Sequence, residues 1–139
     1  MRLLWVVLGC MAVLAGCGED QESPPGLEIY AGNFRVTELF REQSGNLCPS
    51  ARESFENQLE ILVSKSQFEA RFASRYVALY GEIHSDLSFW AIDGESKPDE
   101  NQDLTGVFQN EDEFTGLIKE VWTGCTRFTD LLGERVVDE

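Results

Sequence analysis

From Gly32 onward, apolar residues recur at every second position, and this most constrains the fold. Phe34 and Val36 alternate with Arg35 and Thr37; Leu59, Ile61 and Val63 alternate with Glu60 and Ser64; Phe68, Ala70 and Phe72 alternate with Glu69 and Arg71. The pattern continues through Leu79–Gly81–Ile83, Leu87–Phe89–Ala91, Leu104–Gly106–Phe108 and Phe114–Gly116–Ile118, and closes on Phe128 and Leu132. Successive side chains of a strand point to opposite faces, so each run puts one face on a core and the other in water. Turn-forming residues separate the runs: Ser44-Gly45-Asn46, Ser64-Lys65-Ser66, His84-Ser85-Asp86, Asp93-Gly94 and Asn110-Glu111-Asp112. The expectation is an all-β domain over residues 27–139. It is an antiparallel meander of about eight short strands, forming a small barrel (lipocalin-like or half-barrel) or a sandwich. Pro49 to Gln58 could hold one short helix capped by Ser50.

Two stretches echo each other. In "GEIHSDLSF" (Gly81 to Phe89) and "GVFQNEDEF" (Gly106 to Phe114), a Phe follows a Gly by eight places across a polar turn. They read as two hairpins of one design, with Gly where the backbone bends or approaches a neighbour. The aromatic residues past the leader are nine Phe, three Tyr, Trp90 and Trp122. Eight strands enclose a lumen just wide enough for side chains to fill. The rings therefore either pack the interior or line a ligand cup, with Phe68, Phe89, Trp90 and Phe108 as its wall. "GNF" at Gly32 to Phe34 is similar to the Gly-x-Trp segment that opens lipocalin-like barrels, without the Trp.

The start of the chain has a different character. Arg2 precedes an apolar run from Leu3 to Val13 that is too short to span a bilayer and has the build of a secretory leader. Leu14-Ala15-Gly16-Cys17 resembles the lipobox of bacterial lipoproteins. That resemblance implies removal of residues 1–16, a diacylglycerol on the Cys17 thiol and often a further acyl chain on its new amino group. Two or three acyl chains make a lasting anchor where one does not. Residues 17–26, with "GEDQESPPG" after the cysteine, hold nothing to bury and read as a disordered tether. Gly18 rather than Asp after the lipidated residue favours the outer membrane, facing the periplasm or the cell surface, if the sorting rule of enteric bacteria applies.

Four cysteines are present. With Cys10 in the leader and Cys17 acylated, Cys48 and Cys125 remain in an oxidising compartment and should form a disulfide. It would close a loop of about 78 residues, for which chain entropy gives an upper figure of roughly 4.5 kcal/mol.

The formal net charge is −14, and loss of Arg2 with the leader makes it more negative. Such a surface excludes nucleic acid and anionic lipid headgroups and suits a basic protein or cations. The lone histidine, His84, falls in a turn, and no nucleophile elbow, phosphate loop, paired-cysteine metal motif or HExxH occurs. The chain therefore reads as non-enzymatic. Asp99, Asn101 and Asp103 have the D-x-N-x-D spacing that opens calcium loops. Leu104 then stands where an EF-hand needs Gly, and Asn110 where it needs Glu, so the other reading is a solvated acidic loop. No other cofactor is expected. An acidic, disulfide-bonded barrel on a lipid tether also resembles periplasmic lysozyme-inhibitor lipoproteins. Of their Ser-Gly-x-x-Tyr and Trp-Trp-x-Lys-Gly segments only Ser74-Arg75-Tyr76 offers a partial match. The expected role is a membrane-anchored envelope module for binding or structure. The alternatives are an inhibitor of a basic cell-wall hydrolase such as lysozyme and a carrier of a small apolar ligand.

Overall fold

A computed structural model describes residues 26–75, 77–94, 97 and 99–137. The leader, Cys17 and the tether up to residue 25 lie outside the described residues.

A single 3-10 turn, Leu27–Tyr30, precedes eight strands. These are β1 (Gly32–Ser44), β2 (Ser54–Ser64), β3 (Gln67–Phe72), β4 (Leu79–Ile83), β5 (Ser88–Asp93), β6 (Asn101–Asn110), β7 (Glu113–Trp122) and β8 (Cys125–Arg135). Every strand pairs antiparallel with the next, and β8 pairs back with β1. This closure decides between barrel and sandwich: the meander is a closed barrel, and no sheet edge is left open. A bulge interrupts β1 against β8 between Phe40 and Glu42, and another interrupts β6 against β7 between Phe108 and Asn110.

The expected inward residues of β1 to β7 are inside, with two exceptions to the run boundaries. Leu87 lies in the turn before β5, at φ 72°, rather than opening the strand. Residues 49–53 are irregular and β2 begins at Ser54, so no helix forms there and Ser50 caps nothing. The reason is that the alternation extends upstream: Asn57, Leu59 and Ile61 are buried, with Glu56, Gln58 and Glu60 exposed between them. The phase of β8 is also corrected. Thr129, Leu131 and Gly133 point inward, while Phe128 and Leu132 have the outward parity. Apolar residues occur on both faces of β8, so hydrophobicity alone does not give its phase.

The lumen has two unlike halves. At the end where β1 begins, five rings fill it: Phe34, Phe68, Phe89, Phe108 and Phe114. Their centroids lie 4.7–6.0 Å apart. Three of them stand directly opposite a glycine on the following strand: Phe68 and Gly81, Phe89 and Gly106, Phe114 and Gly133. Gly106 and Gly133 make the space their rings occupy, while Gly81 is needed for the close approach of the Trp90 backbone. A Cβ on Gly106 would lie 2.4 Å from the Phe89 ring, and one on Gly133 would lie 2.0 Å from the Phe114 ring. The eight-residue echo is thereby explained. Gly81 and Phe89 belong to one hairpin and Gly106 and Phe114 to the next, and each Phe meets a glycine on the strand that follows it: Gly106 on β6 for Phe89, Gly133 on β8 for Phe114.

The 3-10 turn plugs this end. Leu27 and Tyr30 pack on the core, with Tyr30 4.9 Å from Phe108. Arg135, the last residue of β8, clamps the plug by donating to the carbonyl oxygens of Ile29 (2.9 Å) and Ala31 (2.8 Å). Its guanidinium also lies 4.9 Å above the Phe34 ring. Gly32, at φ 148°, leaves room for it, since a Cβ there would meet its NH1 at 2.2 Å. "GNF" thus supplies the floor and the clearance for the Arg135 clamp.

Candidate functional site: the polar mouth of the barrel

At the other end the inward row turns polar. Glu38 follows Phe34 and Val36 on β1; Asn57 precedes Leu59 on β2; Glu120 follows Ile118 on β7; Thr129 precedes Leu131 on β8. Asp93 and Gln102 continue the inward rows of β5 and β6. On six of the eight strands, inward side chains that would pack more cheaply as aliphatics are carboxylates, amides or a hydroxyl at this end, while β3 and β4 present Phe72 and Leu79 there.

Arg75 draws several of them together. It comes from the β3–β4 connection and lies across the Phe72 ring at 4.6 Å. NH1 donates to Glu38 Oε2 at 3.0 Å and NH2 to Glu38 Oε1 at 2.9 Å, a bidentate pair. NH2 also donates to Glu120 Oε1 at 3.2 Å. Asn57 Nδ2 donates to Glu38 Oε2 at 2.7 Å and to Ser74 Oγ at 2.6 Å. The Glu38 side chain is 1% exposed and that of Arg75 10%. Burial works against the Arg75 charge, but the bonds to Glu38 and the charge of Glu120 outweigh it and hold the guanidinium above its ordinary value. Two buried polar atoms at this end have no hydrogen-bond partner among the described residues: Arg75 Nε and Gln102 Oε1.

Above this cluster lies a cavity of about 220 Å³, walled by Phe40, Phe55, Arg52, Arg75, Glu120 and Arg127. A second hollow of about 270 Å³ lies at the same end against Asp93, Gln102 and Trp122. The rim is braced. Arg127 donates from Nε to Gln43 Oε1 (3.1 Å) and from NH2 to the Pro49 carbonyl (2.8 Å), with its guanidinium 5.0 Å from the Trp122 ring. The expected Cys48–Cys125 disulfide is present and ties the β1–β2 connection to the first residue of β8 at this rim.

The other expected residues are not gathered here. Asp99 lies in the β5–β6 connection, while Asn101 and Asp103 lie within β6. Asn101 Nδ2 donates to the Lys97 carbonyl at 2.8 Å, and Asp103 stands opposite Ile92 and Lys119. Alternate residues of an extended strand stand side by side on one face rather than converging as a calcium loop requires. Among the described residues no three His, Cys, Asp or Glu side chains are grouped to hold a metal. His84 is exposed in the β4–β5 turn. Of the supposed cup, Phe68, Phe89 and Phe108 pack on one another inside, and Trp90 is on the outer face. Ser74 and Arg75 fold into the mouth instead of projecting from it, and Tyr76 lies outside the described residues.

The sequence carried a signal for the mouth that the apolar count passes over. Glu38, Asn57, Asp93, Gln102, Glu120 and Thr129 all hold the inward parity of their strands and all fall toward the same end of the meander. Compared with known protein families and with characterised proteins, the sequence matches none.

Proposed function

We propose that this chain is a lipid-anchored envelope lipoprotein whose barrel is a non-enzymatic binding module, and that the mouth is its binding end. The observation that supports this reading is the contrast between the two ends of the lumen. One is filled with rings and plugged by Leu27 and Tyr30; the other buries Glu38, Arg75, Asn57 and Glu120 beneath a cavity of about 220 Å³. Buried charges contribute little net stability compared with well-packed apolar residues, whereas a site needs them. The cavity is smaller than the ~300 Å³ at which pockets for drug-sized ligands begin, so the ligand is a small polar molecule and not a lipid.

Gly26 precedes the plug, so the tether joins the barrel at the end opposite the mouth. A Cys17 anchor then sets the plugged end toward the membrane on a leash of roughly 30 Å, with the mouth facing away. Cell fractionation tests the anchor: Cys17→Ser should move the protein from the membrane to the soluble fraction. Native mass spectrometry of the protein purified from envelopes tests the mouth. A small bound species on the wild type, absent from a Glu38→Leu/Arg75→Leu variant, is the expected result; bare polypeptide in both would overturn the reading.

A further inference from the structure

The outer face of β2 to β5 carries a feature the mouth does not use. Leu62, Tyr80, Trp90 and Ile92 all have outward parity on their strands and are 36%, 51%, 37% and 40% exposed. They form one patch. Tyr80 stands directly opposite Ile92, Trp90 is the next outward residue on β5, and Glu69 alone separates Leu62 from Tyr80 across β3. Between Leu62 and Tyr80 lies a groove of about 520 Å³ lined mainly by apolar groups. Acidic residues surround the patch in the pairing register. Glu69 precedes Tyr80, Asp103 follows Ile92, Glu82 stands opposite Trp90, and Glu60 is the outward residue before Leu62. Two cations adjoin this rim: Arg71, engaged by Glu69 and Glu60, and Lys119, which stands opposite Asp103 on β7. Glu82 is the rim acid nearest Trp90.

We infer that this face docks a basic protein whose contact surface has an apolar centre and a rim of Lys or Arg. Tyr and Trp at the centre of a patch are the residue types that anchor interfaces, and a polar rim shields them from water. The acidic rim selects the sign of the partner and, with the net charge of −14, steers it in. The same rim disfavours insertion into an anionic membrane, where these carboxylates would meet headgroups of like sign. The surface is separate from the mouth, so this inference stands whether or not the mouth binds a small molecule.

The test is photocrosslinking of the full chain in the cells that make it. Trp90→p-benzoylphenylalanine and Tyr80→p-benzoylphenylalanine place the probe in the patch without touching the core; Arg35→p-benzoylphenylalanine places it on β1, on the far side of the barrel. The expected result is an adduct with one protein of net positive charge at positions 80 and 90 and none at 35. That adduct should be lost when Glu82→Lys and Asp103→Lys reverse the rim. No adduct at 80 and 90, adducts only to lipid, a partner of net negative charge, or an adduct that survives the charge reversal would each overturn the inference.

Discussion

Arg75 holds Glu38 in a bidentate pair, 2.9 and 3.0 Å, at a point where both side chains have left water. The pair sits inside the barrel wall of β1 and ties the β3–β4 connection down over the lumen. Removing one partner strands the other. Arg75→Met should leave Glu38 and Glu120 without their cation and cost about 3–5 kcal/mol, the range for breaking a buried pair. Urea denaturation measures it, and a loss under about 1 kcal/mol would place the pair at the level of an exposed ion pair.

The ring-filled half makes a different prediction, about volume. Phe89 occupies the space that Gly106 leaves open on one side, and the Thr115 carbonyl oxygen stands 2.6 Å from where a Gly106 Cβ would lie, so a smaller residue at 89 relieves only part of the clash. Gly106→Ala should cost about 1–3 kcal/mol by overpacking, and Phe89→Ala about 3–5 kcal/mol by opening a cavity. The two residues are in contact, so their effects should not add: Gly106→Ala combined with Phe89→Leu should cost less than the sum of the singles. Thermal unfolding of the four proteins of that cycle checks the coupling, and strict additivity would contradict it.

How much of this was legible in the sequence depends on which residues carry the signal. The runs through Phe34, Leu59, Phe68, Leu104 and Phe114 gave the strands directly, because one face is apolar and the other polar. On β8 the rule fails, since Gly133 is inward to admit Phe114 while Leu132 is outward. Only the neighbouring ring reveals why a residue with no side chain faces the core. The mouth was hidden for a related reason. Glu38 and Glu120 look like ordinary surface acids until the parity of their strands is followed past the last apolar residue. Arg75 lies in a connection, where no periodicity points inward, and its partners come from strands far away in sequence. The Cys48–Cys125 bridge, by contrast, was reached by counting.

That bridge braces the rim of the mouth. Replacing both cysteines by alanine should cost about 2–5 kcal/mol. The loss should appear as earlier opening of the mouth rim, because the ring-filled half is held by separate contacts. Hydrogen exchange should show faster amides at Leu47 and in the first residues of β8, with Phe89 and Phe114 unchanged. Uniform acceleration across the barrel would show that the bridge acts on the whole fold.

Acid should weaken the β4–β5 turn. Asp86 Oδ1 accepts from the Ser88 hydroxyl at 2.6 Å and from its backbone N–H at 3.0 Å. These bonds hold the carboxyl below its ordinary value of 3.8. A carboxyl depressed on folding contributes stability that is present above its unfolded value and is lost as pH falls through the lower folded one. Stability should therefore fall on acidification below the ordinary value, and Asp86→Asn should flatten part of that slope. Denaturation midpoints at stepped acidic pH, identical in slope for wild type and Asp86→Asn, would contradict the assignment.

The central claim, that the mouth's charges serve binding and not stability, is tested most directly by Glu38→Leu/Arg75→Leu measured for both properties at once. Thermal unfolding and native mass spectrometry would be run on the same preparation, beside the wild type and Arg75→Met. The account predicts that the double variant recovers the part of the Arg75→Met loss that comes from stranding Glu38, with Glu120 alone left without its cation, and that it retains no small bound species. A double variant as unstable as the single one, or one that still carries the bound species of the wild type, would contradict it.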